Sequence, residues 1–185
     1  MSKQEFKNTQ IIRKDAKNCF VETKSDCFEI DKVAVNFVAY DTSKPEGSRA
    51  TNSVSVFIPV DDMLFLCAEI LSGVLLQKIE TKRNKSDTKP LYQHLGGKNA
   101  EKAKRPDKMS LSRNVTLTVG QRALFFTADE GPGEVSGTGI IVPKYSKPEQ
   151  RVSVSITYED FAKLMLTTKA HYDAWLAAKY QKDSE

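Results

Sequence analysis

Val54-Ser55-Val56-Phe57-Ile58-Pro59-Val60-Asp61-Asp62-Met63-Leu64-Phe65-Leu66 reads as a β-strand running straight into a helix. Val152-Ser153-Val154-Ser155-Ile156-Thr157-Tyr158-Glu159-Asp160-Phe161-Ala162-Lys163-Leu164 reads the same way. Laid over one another, the two stretches match at Val54/Val152, Ser55/Ser153, Val56/Val154, Ile58/Ile156, Asp62/Asp160 and Leu66/Leu164, and Asp61 meets Glu159. A unit used twice predicts a chain of two related halves. In each copy, apolar residues alternate with small polar ones, the period of a strand with one buried face. Pro59 cannot donate to a sheet ladder and suits a strand end. The acidic residues that follow sit where a helix N-terminus favours negative charge. Thr157 and Asp160 have the spacing of a capping box, with Asp in place of the usual Glu or Gln.

Working outward from the first copy, residues 19–23 read as a strand, and 28–30 as part of its hairpin partner. Val33 to Tyr40 is the strongest strand of this half, rich in β-branched and aromatic residues. A turn-rich loop over 41–49 leads into the strand 51–58. The helix from about Asp61 is apolar almost all round as far as Ile79 and reads as buried on several sides, with Ser72-Gly73 as a kink or an end. Residues 1–18 are polar. The first eight or so read as a frayed terminus, and Ile11-Ile12 as a strand or docking point.

Around the second copy the strands are clearer. Met109, Leu111, Val115 and Leu117 share one face, and Ser110, Ser112, Asn114 and Thr116 share the other, with Arg113 breaking the apolar row. A turn at 119–121, a strand at 123–128, a loop at 130–134, a short strand at 139–143 and a strand at 151–156 follow. The closing helix runs from about Tyr158 to about Lys182, with Phe161, Leu164, Met165, Leu166, Tyr172, Trp175 and Leu176 on its apolar stripe. Consecutive strands with short loops predict an antiparallel α+β chain of two ββββα repeats. The units are placed at 1–80 and 109–185, with a basic flexible connector at 81–108; the two could also form one pseudo-dimeric domain.

That connector carries the charge. Residues 80–108 hold nine Lys/Arg against four Asp/Glu, which accounts for essentially all of the chain's formal excess of +4. Pro90, Gly96, Gly97 and Pro106 lie within it, and Leu91-Tyr92-Gln93-His94-Leu95 suggests a short helical turn. It reads either as a solvated linker or as a basic arm over a nucleic-acid surface. Apolar residues at 39% and charged residues at 28% are ordinary for a globular chain. Cys19, Cys27 and Cys67 form no CxxC pair and are odd in number, so a reducing, cytoplasmic setting is expected, with no disulfide framework. The polar N-terminus has no signal core, and the apolar run 63–76 is too interrupted to span a bilayer.

No catalytic constellation emerges, and a non-enzyme is expected. His94 and His171 stand far apart and have no ligand spacing with any cysteine, so neither a metal nor a cofactor is expected. The glycines of residues 131–139 lead into a strand, whereas a phosphate cradle leads into a helix N-terminus; they read as a flexible hairpin loop. Gly96-Gly97-Lys98 is a comparably weak cradle, because no apolar strand precedes it.

What remains is the outward sheet face. Alternation offers Ser53, Ser55 and Phe57 from the first half. The second half offers Ser110, Ser112, Asn114, Arg151, Ser153 and Ser155, with one of Phe125 or Phe126, and Arg113 nearby. The connector adds Lys102, Lys104 and Arg105. Aromatic rings stack on bases, small polar groups reach sugar and phosphate, and cations neutralise charge, so this set suits single-stranded DNA or RNA. A plain solvated face, or one buried in a homodimer, is the alternative.

Two ββββα units joined by a linker resemble the Pur-repeat and Whirly group of single-stranded nucleic-acid-binding proteins. The resemblance rests on residues 54–66 and 152–164 and on the strand series from Met109 to Ile156. It implies paired or intertwined units, curved sheets with a single strand across them, and an accessory role in replication, DNA transfer, recombination or transcription. The long connector departs from the spacing it implies. The competing expectation is a non-enzymatic interaction or structural factor of a phage or mobile element.

Overall fold

The computed structural model describes residues 9–182. The expectation for the first eight residues lies outside these. Two antiparallel sheets and four α-helices make a mixed α+β chain. The first sheet is a meander of β1 (Gln10–Ala16), β2 (Cys19–Lys24), β3 (Lys32–Tyr40) and β4 (Ala50–Pro59), in that spatial order. It is followed by α1 (Val60–Leu71) and α2 (Val74–Lys85). The second sheet is built from β5 (Tyr92–Lys98), β6 (Ser110–Val119) and β7 (Leu124–Val135), with β8 (Ile141–Pro143) and β9 (Gln150–Ile156) both pairing with β7. A four-residue helix, α3 (Ala100–Ala103), links β5 to β6, and α4 (Tyr158–Lys182) closes the chain.

Both copies of the repeated stretch run from strand into helix, β4 into α1 and β9 into α4. Val54, Val56 and Ile58 are buried on one face of β4, as are Val152, Val154 and Ile156 on β9. At the second junction the N-cap half of the expected capping box forms: the Asp160 amide donates to Thr157 Oγ1 at 3.0 Å, while the Asp160 carboxylate takes the Thr157 hydroxyl at 3.1 Å in place of the backbone amide.

The two copies also lie against each other. β4 packs on β9, and α1 packs on α4. β4 further meets β5, β6 and β7, while β9 meets β1, β2 and β3. A strand that touches every long strand of the opposite sheet runs across them, so the sheets cross face to face. Their inner faces and the helices share one apolar core. Phe37 of β3, Phe126 of β7 and Phe161 of α4 form an edge-to-face chain through it, with centroids 4.9 and 5.4 Å apart. Each of these rings is essentially inaccessible, and burying one contributes ~1.5–3 kcal/mol. Thr23 of β2 and Thr168 of α4 meet in the interior, their hydroxyls 2.8 Å apart. Thr168 donates onward to the Leu164 carbonyl, so Thr23 is the donor to Thr168 and no polar atom of the pair is left orphaned.

Several expectations need correction. The connector is no flexible arm: α2 runs into it, and β5 and α3 lie within it. Tyr92 to Leu95 belong to a strand and not to a helical turn, because β5 is held along β6 from Tyr92↔Leu117 to Lys98↔Leu111. The weak apolar pattern of β5 reflects a terminal strand that buries little. Residues 130–134 continue β7, where Gly131 and Gly133 face Ser112 and Ser110 across the ladder. Residues 28–30 form a single 3₁₀ turn between β2 and β3, which plants Phe28 against Tyr172 and Trp175 of α4. Gly73, at φ 76°, ends the buried helix as a break between α1 and α2. The all-round burial expected of this helix is not found: Phe65 and Leu71 are 65% and 70% exposed. No described helix is long and apolar enough to cross a membrane.

Candidate nucleic-acid interface

Because the sheets meet by their inner faces, each keeps an outer one. On the first sheet the outer rows follow from register. Arg13, Glu22, Asn36 and Ser55 form one row; Asp15, Phe20, Val38 and Ser53 form the next. Ser53 and Phe57 are exposed and Ser55 is half-buried. Three further residues of this face escaped the reading of the sequence: Arg13, Phe20 and Tyr40. The Arg13 guanidinium sits 3.6 Å from the Phe20 ring centroid, and Phe20 lies 6.2 Å from Tyr40. Phe20 stands between the buried Cys19 and Val21, and that alternation was the available signal.

On the second sheet, Phe125 is directly opposite Ser155, and Thr127 opposite Ser153. Ser153 and Ser155 are exposed, and the Ser153 hydroxyl bonds Thr127 at 2.7 Å. Of the two phenylalanines offered by the sequence, Phe125 faces out at 42% exposure while Phe126 is core. The Phe125 ring lies over Gly120, where a Cβ would stand 2.5 Å from it. Asn114 shares this face, half-buried, and accepts from Gln93 at 3.4 Å.

Other members of the expected set are placed differently. Ser110 and Ser112 are buried, which contradicts their expected exposure. The hairpin from β7 into β8 folds back over this end of the face: a Cβ on Gly133 would strike Ile141, and one on Gly131 would strike the Tyr145 ring. The hydroxyls of Ser112 and Tyr145 are both buried there with no hydrogen-bond partner among the described residues. Arg113 lies on the inward row, directly opposite Glu130, and donates to it at 2.6 Å. Arg151 makes a two-pronged bond to Asp129 at 2.6 and 2.8 Å. Arg105 is forked between Asp107 and Glu149, and those carboxylates hold its guanidinium well above its ordinary pKa. All three arginines are therefore spoken for, although the side chain of Arg151 stays largely exposed. Lys102 and Lys104 are exposed at α3 with no ion pair among the described residues.

A cleft of about 420 Å³ opens where β4, the last strand of one sheet, approaches β5, the first strand of the other. Lys32, Phe57, His94, Lys98 and Arg113 line it, together with Gly139 to Ile141. His94 is backed by Asp62, whose Oδ2 is 3.6 Å from Nδ1, and the same oxygen accepts the Tyr92 hydroxyl at 2.8 Å. Burial pushes the His94 imidazole below its ordinary pKa; Asp62 opposes this, and Lys32 adds to it. Burial, then Asp62, drive the Tyr92 phenol far above its own. No group of three metal-ligating side chains occurs among the described residues.

No known family model matches the chain, and no curated protein is similar to it at a significant level.

Proposed function

We propose that this protein binds single-stranded nucleic acid across the outer faces of its two crossed sheets. The observation that carries the reading is the twinned surface: an exposed phenylalanine beside small hydroxyl residues on each sheet, Phe57 with Ser53 and Ser55, and Phe125 with Ser153 and Ser155. Exposed aromatic rings on a polar sheet give bases a stacking platform that tolerates any sequence. Lys32, Lys98, Lys102 and Lys104 supply cations without carboxylate partners among the described residues. An antiparallel sheet leading to helix in each half, a four-stranded meander in the first and five strands in the second, with the halves in mutual contact, is what supports the likeness to the Pur-repeat and Whirly group. On that likeness the role is an accessory one in replication, DNA transfer or transcription, by binding and without catalysis.

Fluorescence polarisation with a labelled single strand tests this. Binding should weaken steeply between about 50 and 200 mM salt, as counterion release requires. Phe57→Ala and Phe125→Ala should each weaken it by roughly 1–3 kcal/mol, and Ser112→Ala should leave it unchanged. Absence of binding to DNA and RNA at low salt would refute the reading.

A second reading, a protein-contact factor, has one observation of its own. Phe65, Leu71 and Leu76 leave apolar surface on α1 and α2 at 65%, 70% and 40% exposure. Sedimentation equilibrium tests it for self-association: a Phe65→Ser/Leu71→Ser variant that changes a measured mass would favour it.

A further inference from the structure

Two glycine motifs that are separate and unremarkable in the sequence meet in the structure. Gly96-Gly97-Lys98 lies at the end of β5, and Gly139 at the tip of the β7–β8 hairpin; both line the cleft beside Lys32 and Phe57. Neither Gly97 nor Gly139 is replaceable without strain, at φ 145° and 81°. A Cβ on Gly97 would also stand 1.9 Å from the Leu111 carbonyl oxygen. Bare backbone is what allows a ligand close approach to a strand. β5 is also terminal in its sheet, so one side of its backbone is outside any ladder.

The charge in the cleft is asymmetric. Glu130 is engaged by Arg113 through Nε, and Asp62 by the Tyr92 hydroxyl. Lys32 and Lys98 have no carboxylate partner among the described residues, and Lys32 is close enough to His94 to depress its pKa. Two unpaired ammonium groups, the remaining face of an arginine, a largely neutral imidazole and glycine backbone surround the space. Its volume and its few polar groups on apolar walls are those of a small-ligand site. The hairpin tip closes one side, so the site suits the end of a strand.

We propose that this cleft binds a terminal phosphate monoester, held between Lys32 and Lys98 with Arg113 alongside, while the neighbouring base stacks on Phe57. This rests on the single-strand reading above and deepens it, since it selects strand ends over strand interiors. A monoester carries close to two negative charges near neutral pH and an internal diester only one, so two unpaired lysines discriminate between them.

The test compares one labelled oligonucleotide in three forms: 5′-phosphorylated, 3′-phosphorylated, and hydroxyl-ended at both ends. At fixed salt, one phosphorylated form should bind the wild-type protein about 3- to 10-fold more tightly than the hydroxyl-ended form, the range of one to two exposed charge-assisted contacts. Lys32→Ala with Lys98→Ala should erase that preference, so that the phosphorylated and hydroxyl-ended forms bind alike, whatever the affinity they then share. Lys98 is exposed and Lys32 half-buried, and circular dichroism controls for folding. Equal binding of all three forms overturns the cleft proposal and leaves the sheet-face reading standing. A preference that persists in the double variant also overturns it. Titration with inorganic phosphate, followed by the His94 imidazole resonances, separates the two ideas. A saturable shift in the wild type, lost in the double variant, supports the cleft even if no oligonucleotide binds; no shift counts against it.

Discussion

Asp62 accepts the Tyr92 hydroxyl at 2.8 Å, joining the helix start of one half to the first strand of the other. Asp160, its counterpart in the second copy, accepts the Lys14 ammonium at 2.8 Å, again on the first strand of the opposite half. Each repeated aspartate therefore clasps the other unit. Tyr92→Phe should destabilise the fold by about 1–2 kcal/mol, the range for a hydrogen bond to a charged group that is partly exposed. It should also free the Asp62 carboxylate for His94 and raise the imidazole pKa. Urea unfolding measures the first effect and a histidine NMR titration the second; an unmoved His94 would contradict the shared-carboxylate geometry.

His94 also sets a pH response. Burial lowers its folded-state pKa below the ordinary 6.5, with Asp62 and Asp61 raising it and Lys32 lowering it. Between the folded value and 6.5 the unfolded chain binds more protons, so stability rises with pH through that window and falls as acid is added. His94→Gln should flatten this slope. Melting temperatures measured from about pH 5 to pH 7.5 decide it, since carboxylates held low, such as Asp160 beside Lys14, act at more acidic pH.

Adjacent residues of β7 should behave in opposite ways. Phe126 is 1% exposed between Phe37 and Phe161, and Phe126→Ala should cost about 3–5 kcal/mol through lost burial and a cavity. Phe125 is 42% exposed, and Phe125→Ala should leave stability within about 1 kcal/mol while weakening oligonucleotide binding. Comparable destabilisation by both would mean that the two faces of β7 are misassigned.

The cysteines give a chemical readout. Cys19 and Cys67 are buried, and desolvation pushes the Cys67 thiol up to about 11. Cys27 is partly accessible. Under native conditions a thiol reagent should label Cys27 first, and the other two only on unfolding. Stoichiometric labelling of all three in the folded protein would count against the shared core.

The sequence was most legible where a single period governs a segment. Val54, Val56 and Ile58, with their counterparts Val152, Val154 and Ile156, are core because alternation alone determines their side of the sheet. The N-cap at Thr157 was readable because it is local. β5 was not readable: a terminal strand with Gly96, Gly97 and His94 lacks the apolar alternation of a buried one. Ser112 was given the correct face but the wrong exposure. Its burial depends on a hairpin that returns from 25 or more residues downstream to put Ile141 and Tyr145 over Gly131 and Gly133. The arginines were seen as free cations because Glu130, Asp129 and Glu149 reach them only through strand register and tertiary contact.

The contact of Phe28 with Tyr172 and Trp175 has a consequence for synthesis. The first sheet emerges from the ribosome well before α4, so Phe28 and the valines of β2 and β3 wait without that cover until a helix about 130 residues further along has been made. Contacts so distant in sequence make slow, nearly all-at-once folding the expectation. A nascent chain stalled before α4 should expose apolar sheet surface and depend on chaperones, whereas a chain that includes α4 should not.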